Sequence, residues 1–223
     1  MNQRLRDAGL PTREHILDAA ISVMRTLGLA RATTKEIAQA AGLSEAALYR
    51  HFADKAELFL CVIGERVPQL VWALHDLPSH VGRRTVRANL EEIVHVALPF
   101  YDEAVPLGAA MFAEPELLAR HQERLRTKDA GPLRAVELLA AYVRAEQRLG
   151  RINRRADPEA AAWLLLGPCI GRTLVRRFVG EPESRESDEG FIKSLLSTLM
   201  QGLAPDKPRT SGRSRAASQF AAQ

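Results

Sequence analysis

Residues 34–55 read Thr-Lys-Glu-Ile-Ala-Gln-Ala-Ala-Gly-Leu-Ser-Glu-Ala-Ala-Leu-Tyr-Arg-His-Phe-Ala-Asp-Lys, and the pattern predicts two short helices joined by a tight turn at Gly42. Thr33 is placed to cap the first helix while Glu36, three residues on, reaches back to the capping residue's amide. Ile37, Ala38 and Ala41 give that helix a narrow apolar face. Gly42 falls where the helix must stop and the backbone must turn left-handed, which costs glycine nothing sterically. Leu43 plugs the corner. Ser44 is a favourable N-cap for a second helix running from Glu45 to about His51, and Leu48 and Phe52, four apart, mark its buried side.

Small alanines on the second helix let its backbone approach base edges, so it suits a DNA groove. Tyr49, His51 and Lys55 offer a hydroxyl, an imidazole and an ammonium to phosphates, contacts that fix register without reading sequence. Base readout then falls to Glu45, Ala46, Ala47 and Arg50: a carboxylate accepts from cytosine, an alanine touches a thymine methyl, and an arginine pairs bidentately with guanine. The competing reading is a plain helical corner with a solvated Tyr-Arg-His face, as many all-helical proteins contain.

The order Thr34, Glu36-Ile37-Ala38, Ala41-Gly42, Ser44, Leu48-Tyr49, His51-Phe52, Lys55, Leu58 resembles the DNA-binding domain of TetR/AcrR-family transcriptional regulators. Upstream, Arg13, Ile16-Leu17, Ala19-Ala20 and Gly28 look like that family's first helix. The resemblance covers roughly residues 12 to 60; beyond them it is architectural. It implies phosphate contacts for Tyr49, His51 and Lys55 and adds Thr34 and Ser44 to the DNA-binding set. Arg50 stands where the family pattern sets no residue type.

The formal charge of +4 is modest, and its distribution is more telling. Up to Lys55 eight basic residues face six acidic ones, a balance of +2, and from Pro205 on the balance is +3, leaving the body near −1. Basic ends on a neutral body suit a protein that meets DNA with one part only. The start lacks the apolar core of a signal peptide, and the uncharged run 160–171 is too short to span a bilayer, so the expectation is a cytoplasmic chain. Cys61 and Cys169 lie far apart without metal or redox spacing.

The remaining sequence is helical by period and punctuation. Asp54 caps a long fourth helix, with Glu57 three residues later and a buried stripe from Leu58 to Leu74 that Pro68 should bend. Further helices are expected at about 83–101, 105–113, 116–127, 132–149, 158–179 and 188–203. Pro132 and Pro158 suit first-turn positions, and Asp157 suits an N-cap. No alternating strand pattern is present. The expected fold is all-α: a flexible arm over 1–11, a three-helix DNA-binding domain over 12–55, a larger helical ligand-binding and dimerisation domain over 56–204, and a disordered basic tail over 205–223.

The ladder Leu166, Ile170, Leu174, Phe178, with Gly167 and Gly171 leaving room for close approach, and the face Phe191, Leu195, Leu199 are candidates for a homodimer interface. A two-fold operator needs two recognition helices one DNA turn apart, about 34 Å, and the resemblance implies a four-helix bundle made by the last two helices of each protomer. Trp72, Phe100, Tyr101, Met111, Phe112, Tyr142 and Trp163 are candidates to line an apolar effector pocket between the middle helices; plain core packing is the competing reading. The six histidines form no His-x-x-x-His pair, and neither a nucleophile elbow nor a phosphate loop occurs. No metal, cofactor or catalytic residue is expected. The sequence therefore reads as a dimeric, ligand-responsive repressor that releases a palindromic double-stranded operator on binding a small molecule. The alternatives are a dimeric DNA-binding scaffold without an effector, or a helical enzyme.

Overall fold

The computed structural model describes residues 13–29, 31–66, 69–128, 130–180 and 187–203. The N-terminal arm, the basic tail and the bend assigned to Pro68 lie outside the described residues. Among the described residues the fold is entirely helical: α1 (Arg13–Leu27), α2 (Thr34–Ala40), α3 (Glu45–Leu48), α4 (Lys55–Arg66), α5 (Gln69–Asp76), a 3-10 turn (Leu77–His80), α6 (Val86–Met111), α7 (Pro115–Lys128), α8 (Pro132–Arg148), α9 (Pro158–Val179) and α10 (Asp188–Leu203).

Two hydrophobic cores organise these helices. In α1 the residues Ile16, Leu17, Ala20, Ile21 and Met24 recur at helical spacing and are buried. They meet Ile37, Leu48 and Phe52 of the helix-turn-helix and Leu58, Phe59 and Val62 of α4 in the N-terminal core. That core does not stop with the first four helices. Leu107 and Met111, from the end of α6, and Leu117 of α7 are also part of it. The second core joins α5, α6, α8, α9 and α10 around Leu90, Ile93, Leu139, Tyr142, Leu165 and Leu196. Phe100, midway along α6, packs against both cores.

The stripe expected on the fourth helix is carried by α4 and α5, whose described parts are inclined to each other by 43°. One expectation for the helices is corrected: the expected pair 83–101 and 105–113 is a single helix, α6, with Pro99 and Pro106 inside it. A proline in a helix interior removes the hydrogen bond to the carbonyl four residues back. For Pro106 that carbonyl belongs to Asp102, and Arg177 Nη2 of α9 donates to it at 2.9 Å. Thr173 Oγ1 donates to the Asp102 carboxylate at 2.8 Å, and Arg25 Nη2 to Glu103 at 2.6 Å. Asp102 and Glu103, expected at a loop or helix end, are thus mid-helix side chains tied to α9 and α1.

The remaining boundaries follow their signals. Asp157 Oδ1 accepts from the Ala160 amide at 2.7 Å, Pro158 occupies the first turn, and α9 ends on Gly180 at φ +68°. Thr85 caps α6 by accepting from Ala88 N at 3.1 Å. Cys169 is fully buried in an apolar setting that pushes its thiol up to about 12. No single described helix is long and apolar enough to cross a membrane.

Candidate nucleic-acid interface

The helix-turn-helix is held by local hydrogen bonds that the sequence encodes almost residue by residue. The Glu36 carboxylate accepts from the Thr33 amide at 2.9 Å while Thr33 Oγ1 accepts from Glu36 N at 3.2 Å, completing the capping box. The Glu36 carboxyl is held below its ordinary range by the Thr33 amide and hydroxyl, which both donate to it. At the other end Leu43 N donates to Ala38 O at 2.8 Å and Gly42 N to Gln39 O at 3.1 Å, the paired closure of a Schellman turn around Gly42 at φ +68°. Ser44 Oγ accepts from Ala47 N at 3.2 Å and starts α3. The α-helix is shorter than expected. It closes after Leu48, and Arg50 and His51 continue as tighter bonds to Ala47 O and Leu48 O at 3.3 and 2.9 Å.

Leu48 and Phe52 are buried as expected, which turns Ser44, Glu45, Ala46, Tyr49, Arg50 and His51 to solvent on one side. Lys55 is half-buried at the start of α4, its Nζ 4.9 Å above the Phe59 ring. Two residues expected at the DNA surface are not there. Thr34 and Ala47 are each only 7% exposed. Ala47 lies at the edge of the buried side of α3 that Leu48 marks. Thr34 Oγ1 donates to Glu45 and accepts from Tyr49 Oη at 3.3 Å, so Thr34 ties the start of α2 to both ends of α3. Its place is to set the angle between the two helices, and the Glu45 carboxylate is already engaged.

Sequence reasoning missed the side chains that dock this unit on the rest of the molecule. Arg13 Nη1 and Nη2 donate to the two Glu65 oxygens at 2.7 Å each, and the same guanidinium lies 5.4 Å from the Phe52 ring centre. Arg120 Nη1 donates to Asp54 at 2.7 Å, and Arg124 reaches Glu65 at 4.0 Å and Cys61 Sγ at 3.7 Å. The Asp54 carboxyl is held below its ordinary range by Arg120 and by the Glu57 amide it caps. The only trace of this clamp in the sequence is the four-residue spacing of Arg120 and Arg124.

The seven aromatic and methionine candidates for an effector pocket are not brought together. Trp72 and Phe112 are 71% and 75% exposed, and Trp163 lies on the surface of α9. Tyr101 and Tyr142 are buried in the C-terminal core, Met111 is in the N-terminal core, and Phe100 lies between. Burial holds the Tyr101 and Tyr142 phenols above their ordinary value. Neither the open groove of about 440 Å³ beside Arg144 nor the cleft of about 260 Å³ between α4 and α7 is lined by any of the seven.

The dimer candidates divide as well. Leu166 and Leu199 are buried in their own protomer, Ile170, Phe191 and Leu195 are partly buried, and Leu174 and Phe178 are exposed. The cause is geometric. At 3.6 residues per turn a step of four residues overshoots a full turn by about 40°, so a ladder from Leu166 to Phe178 rotates from the core to the surface. The exposed apolar stripe of α9 instead runs through Leu164, Val175 and Phe178, the last 84% exposed, with the half-buried Gly171 between them.

Residues 16–62 match the family model described as bacterial regulatory proteins, tetR family. The chain is 33% identical over 180 residues to the nucleoid occlusion factor SlmA of Shewanella frigidimarina, covering 80% of this chain and 88% of the relative. Among solved structures, SmeT, the repressor of the Stenotrophomonas maltophilia multidrug efflux pump SmeDEF, superposes with a TM-score of 0.62 at 25% identity over 87% of this chain and 91% of that one. The regulator FadR from Bacillus subtilis in complex with stearoyl-CoA gives a TM-score of 0.64 at 17% identity, over 86% and 99% respectively, a likeness of fold. With its capped helix-turn-helix, its all-helical body and a relative matched over most of both lengths, the chain belongs to the TetR family of DNA-binding transcriptional regulators.

Proposed function

We propose that the chain is a homodimeric, ligand-responsive repressor that reads a palindromic operator with the exposed side of α3 and the turn that follows it. The observation that carries this reading is the recognition surface itself: a short helix fixed at both ends, with Ala46 and Arg50 flanked by Ser44, Tyr49 and His51 on its solvent side. Tyr49, His51 and Lys55 take phosphates, and Arg50 and Ala46 take base edges. Thr34 and Glu45 position the helix. The α9 stripe is the dimer face, and the SmeT and FadR likenesses support repression and an effector respectively. The division between DNA-binding and body segments then falls within α4.

Effector control would act through α6, whose end is packed into the N-terminal core and whose middle is fastened to α9 at Asp102. A ligand entering the C-terminal core beside Phe100 and Tyr101 displaces α6 and, with it, the recognition helices. A coupling of about 1 to 3 kcal/mol changes operator affinity roughly 5- to 150-fold. Catalysis has no part in this reading; turnover of a substrate by the purified protein would overturn that.

The test is titration of the full chain against DNA from upstream of its own gene, and against genome-selected fragments, at two salt concentrations with excess competitor DNA. Tight, competitor-resistant binding as a dimer is expected, and release by an apolar metabolite or drug identifies the effector. Only weak, sequence-independent binding to every fragment would overturn the operator reading, and tight binding that no small molecule relieves would favour a scaffold without an effector.

A further inference from the structure

Arginines cluster at two places in the body, Arg83, Arg84 and Arg87 before and within the start of α6, and Arg144, Arg148, Arg151, Arg154 and Arg155 around the end of α8. The fold brings these places together. Gly82 N donates to the buried Glu146 of α8 at 3.1 Å, and Arg151 Nη2 donates to the Arg84 carbonyl. Two of the arginines have carboxylate partners there: Arg84 pairs with Glu92, and Arg151 lies 3.3 Å from Glu146.

Three others are held beside one another without such a partner. Gln147 Nε2 donates to Asn153 O at 2.8 Å and Ala156 O at 2.7 Å, folding the loop after α8 back along the helix. Arg154 is thereby placed next to Arg144 and Arg148, which lie one helical turn apart, and with Gln147 the three line an open groove of about 440 Å³. No carboxylate among the described residues pairs with them. Like charges one turn apart oppose each other on a helix, so the arrangement is one that an anionic partner relieves.

The groove lies away from the operator. It sits where α6 begins, whereas the other end of α6 enters the N-terminal core; 26 residues of helix separate the two by about 39 Å. A duplex on the recognition helix does not extend there. Guanidinium groups match carboxylates in a planar, two-bonded geometry.

We propose that this groove docks an acidic segment of a partner protein, at the end of the regulator remote from DNA. The test uses the full chain and a fluorescein-labelled peptide, Glu-Glu-Leu-Glu-Glu-Leu-Glu-Glu, read by anisotropy at low salt, with a labelled unrelated duplex in parallel. The peptide is expected to bind, and the double variant Arg148→Glu/Arg154→Glu to lose about tenfold or more in affinity while duplex binding and helical circular dichroism are unchanged. Lys55→Ala is expected to weaken the duplex and leave the peptide alone. If charge reversal perturbs the fold, Arg148→Ala/Arg154→Ala reads the same contrast. Absence of peptide binding, or equal binding by either double variant, would overturn the proposal. Loss of duplex binding with the peptide unaffected would make the groove a nucleic-acid site and overturn it too.

Discussion

The N-terminal core and the C-terminal core are built from similar aliphatic side chains, yet they specify themselves by different means. Around the helix-turn-helix every helix end is fixed by a bond spanning three to five residues: Thr33 with Glu36, Leu43 with Ala38, Ser44 with Ala47, Asp54 with Glu57. In the body the deciding contacts span tens of residues: Asn89 Nδ2 to Tyr142 Oη at 2.9 Å, Gly82 to Glu146, Thr173 to Asp102. Short-range devices leave a mark in the local sequence, and long-range ones leave only a period. The comparison teaches that a part which must present an unvarying surface to DNA can be specified locally, while the part around it is specified by packing.

Large-to-small substitutions test whether the two cores are separable. Phe52→Ala removes a buried ring from the N-terminal core and is expected to destabilise by about 3–5 kcal/mol, abolishing operator binding. Leu166→Ala in the C-terminal core is expected to cost about 2–5 kcal/mol. Chemical denaturation followed by far-ultraviolet circular dichroism checks both. Because α6 enters both cores, a single shared transition is expected for each variant. Two transitions, with only one moved, would show that the cores unfold independently and break the link assigned to α6.

The dimer face sharpens the same contrast. Phe178→Ser alters an exposed ring and is expected to leave the protomer's melting nearly unchanged while shifting the protein from dimer to monomer, measured by light scattering after size exclusion. Leu166→Ala is expected to do the reverse, lowering stability while the folded fraction remains dimeric. If Phe178→Ser stays dimeric at micromolar concentration, the α9 stripe is not the interface.

How much was legible follows the same division. The turn at Gly42, the caps at Thr33, Ser44 and Asp54, and the burial of Leu48 and Phe52 could be read because each depends on neighbours within one turn. The inward set of Ala47 and the engagement of Thr34 with Glu45 and Tyr49 could not, since they depend on how α3 seats against α2. In the body, the break expected at Asp102 did not occur because Arg177, 75 residues away, satisfies the carbonyl that Pro106 leaves open. The aromatic candidates failed for a related reason: helical period says that Trp72 and Tyr142 each have a face, but not whether that face meets solvent or core.

Backbone geometry gives a smaller effect. Gly42 has φ +68° and nothing within 4 Å of an added Cβ, so Gly42→Ala meets no steric neighbour and carries only the left-handed conformation, about 1–2 kcal/mol. Thermal unfolding is expected to fall by that amount with the operator still bound. A much larger loss would mean that the turn has shifted α3 and that the corner tolerates less than its open surroundings imply.

The smallest expected effect concerns the clamp between the two regions. Arg120 holds the Asp54 carboxyl below its ordinary value, so the pair contributes stability above the ordinary carboxylate pKa that is lost as pH falls through the depressed one. Both side chains are substantially exposed, 39% for Arg120 and 51% for Asp54, and such pairs are worth about 0–1 kcal/mol. In Arg120→Ala the Asp54 carboxyl, followed by NMR, is expected to titrate closer to its ordinary value, remaining somewhat low because the Glu57 amide still donates to it. The stability difference from the unmodified chain should be present at neutral pH and vanish in acid. If the variant instead changes operator affinity severalfold with its stability intact, the clamp governs the setting of the recognition helices on the body, and the local caps alone do not fix the surface presented to DNA.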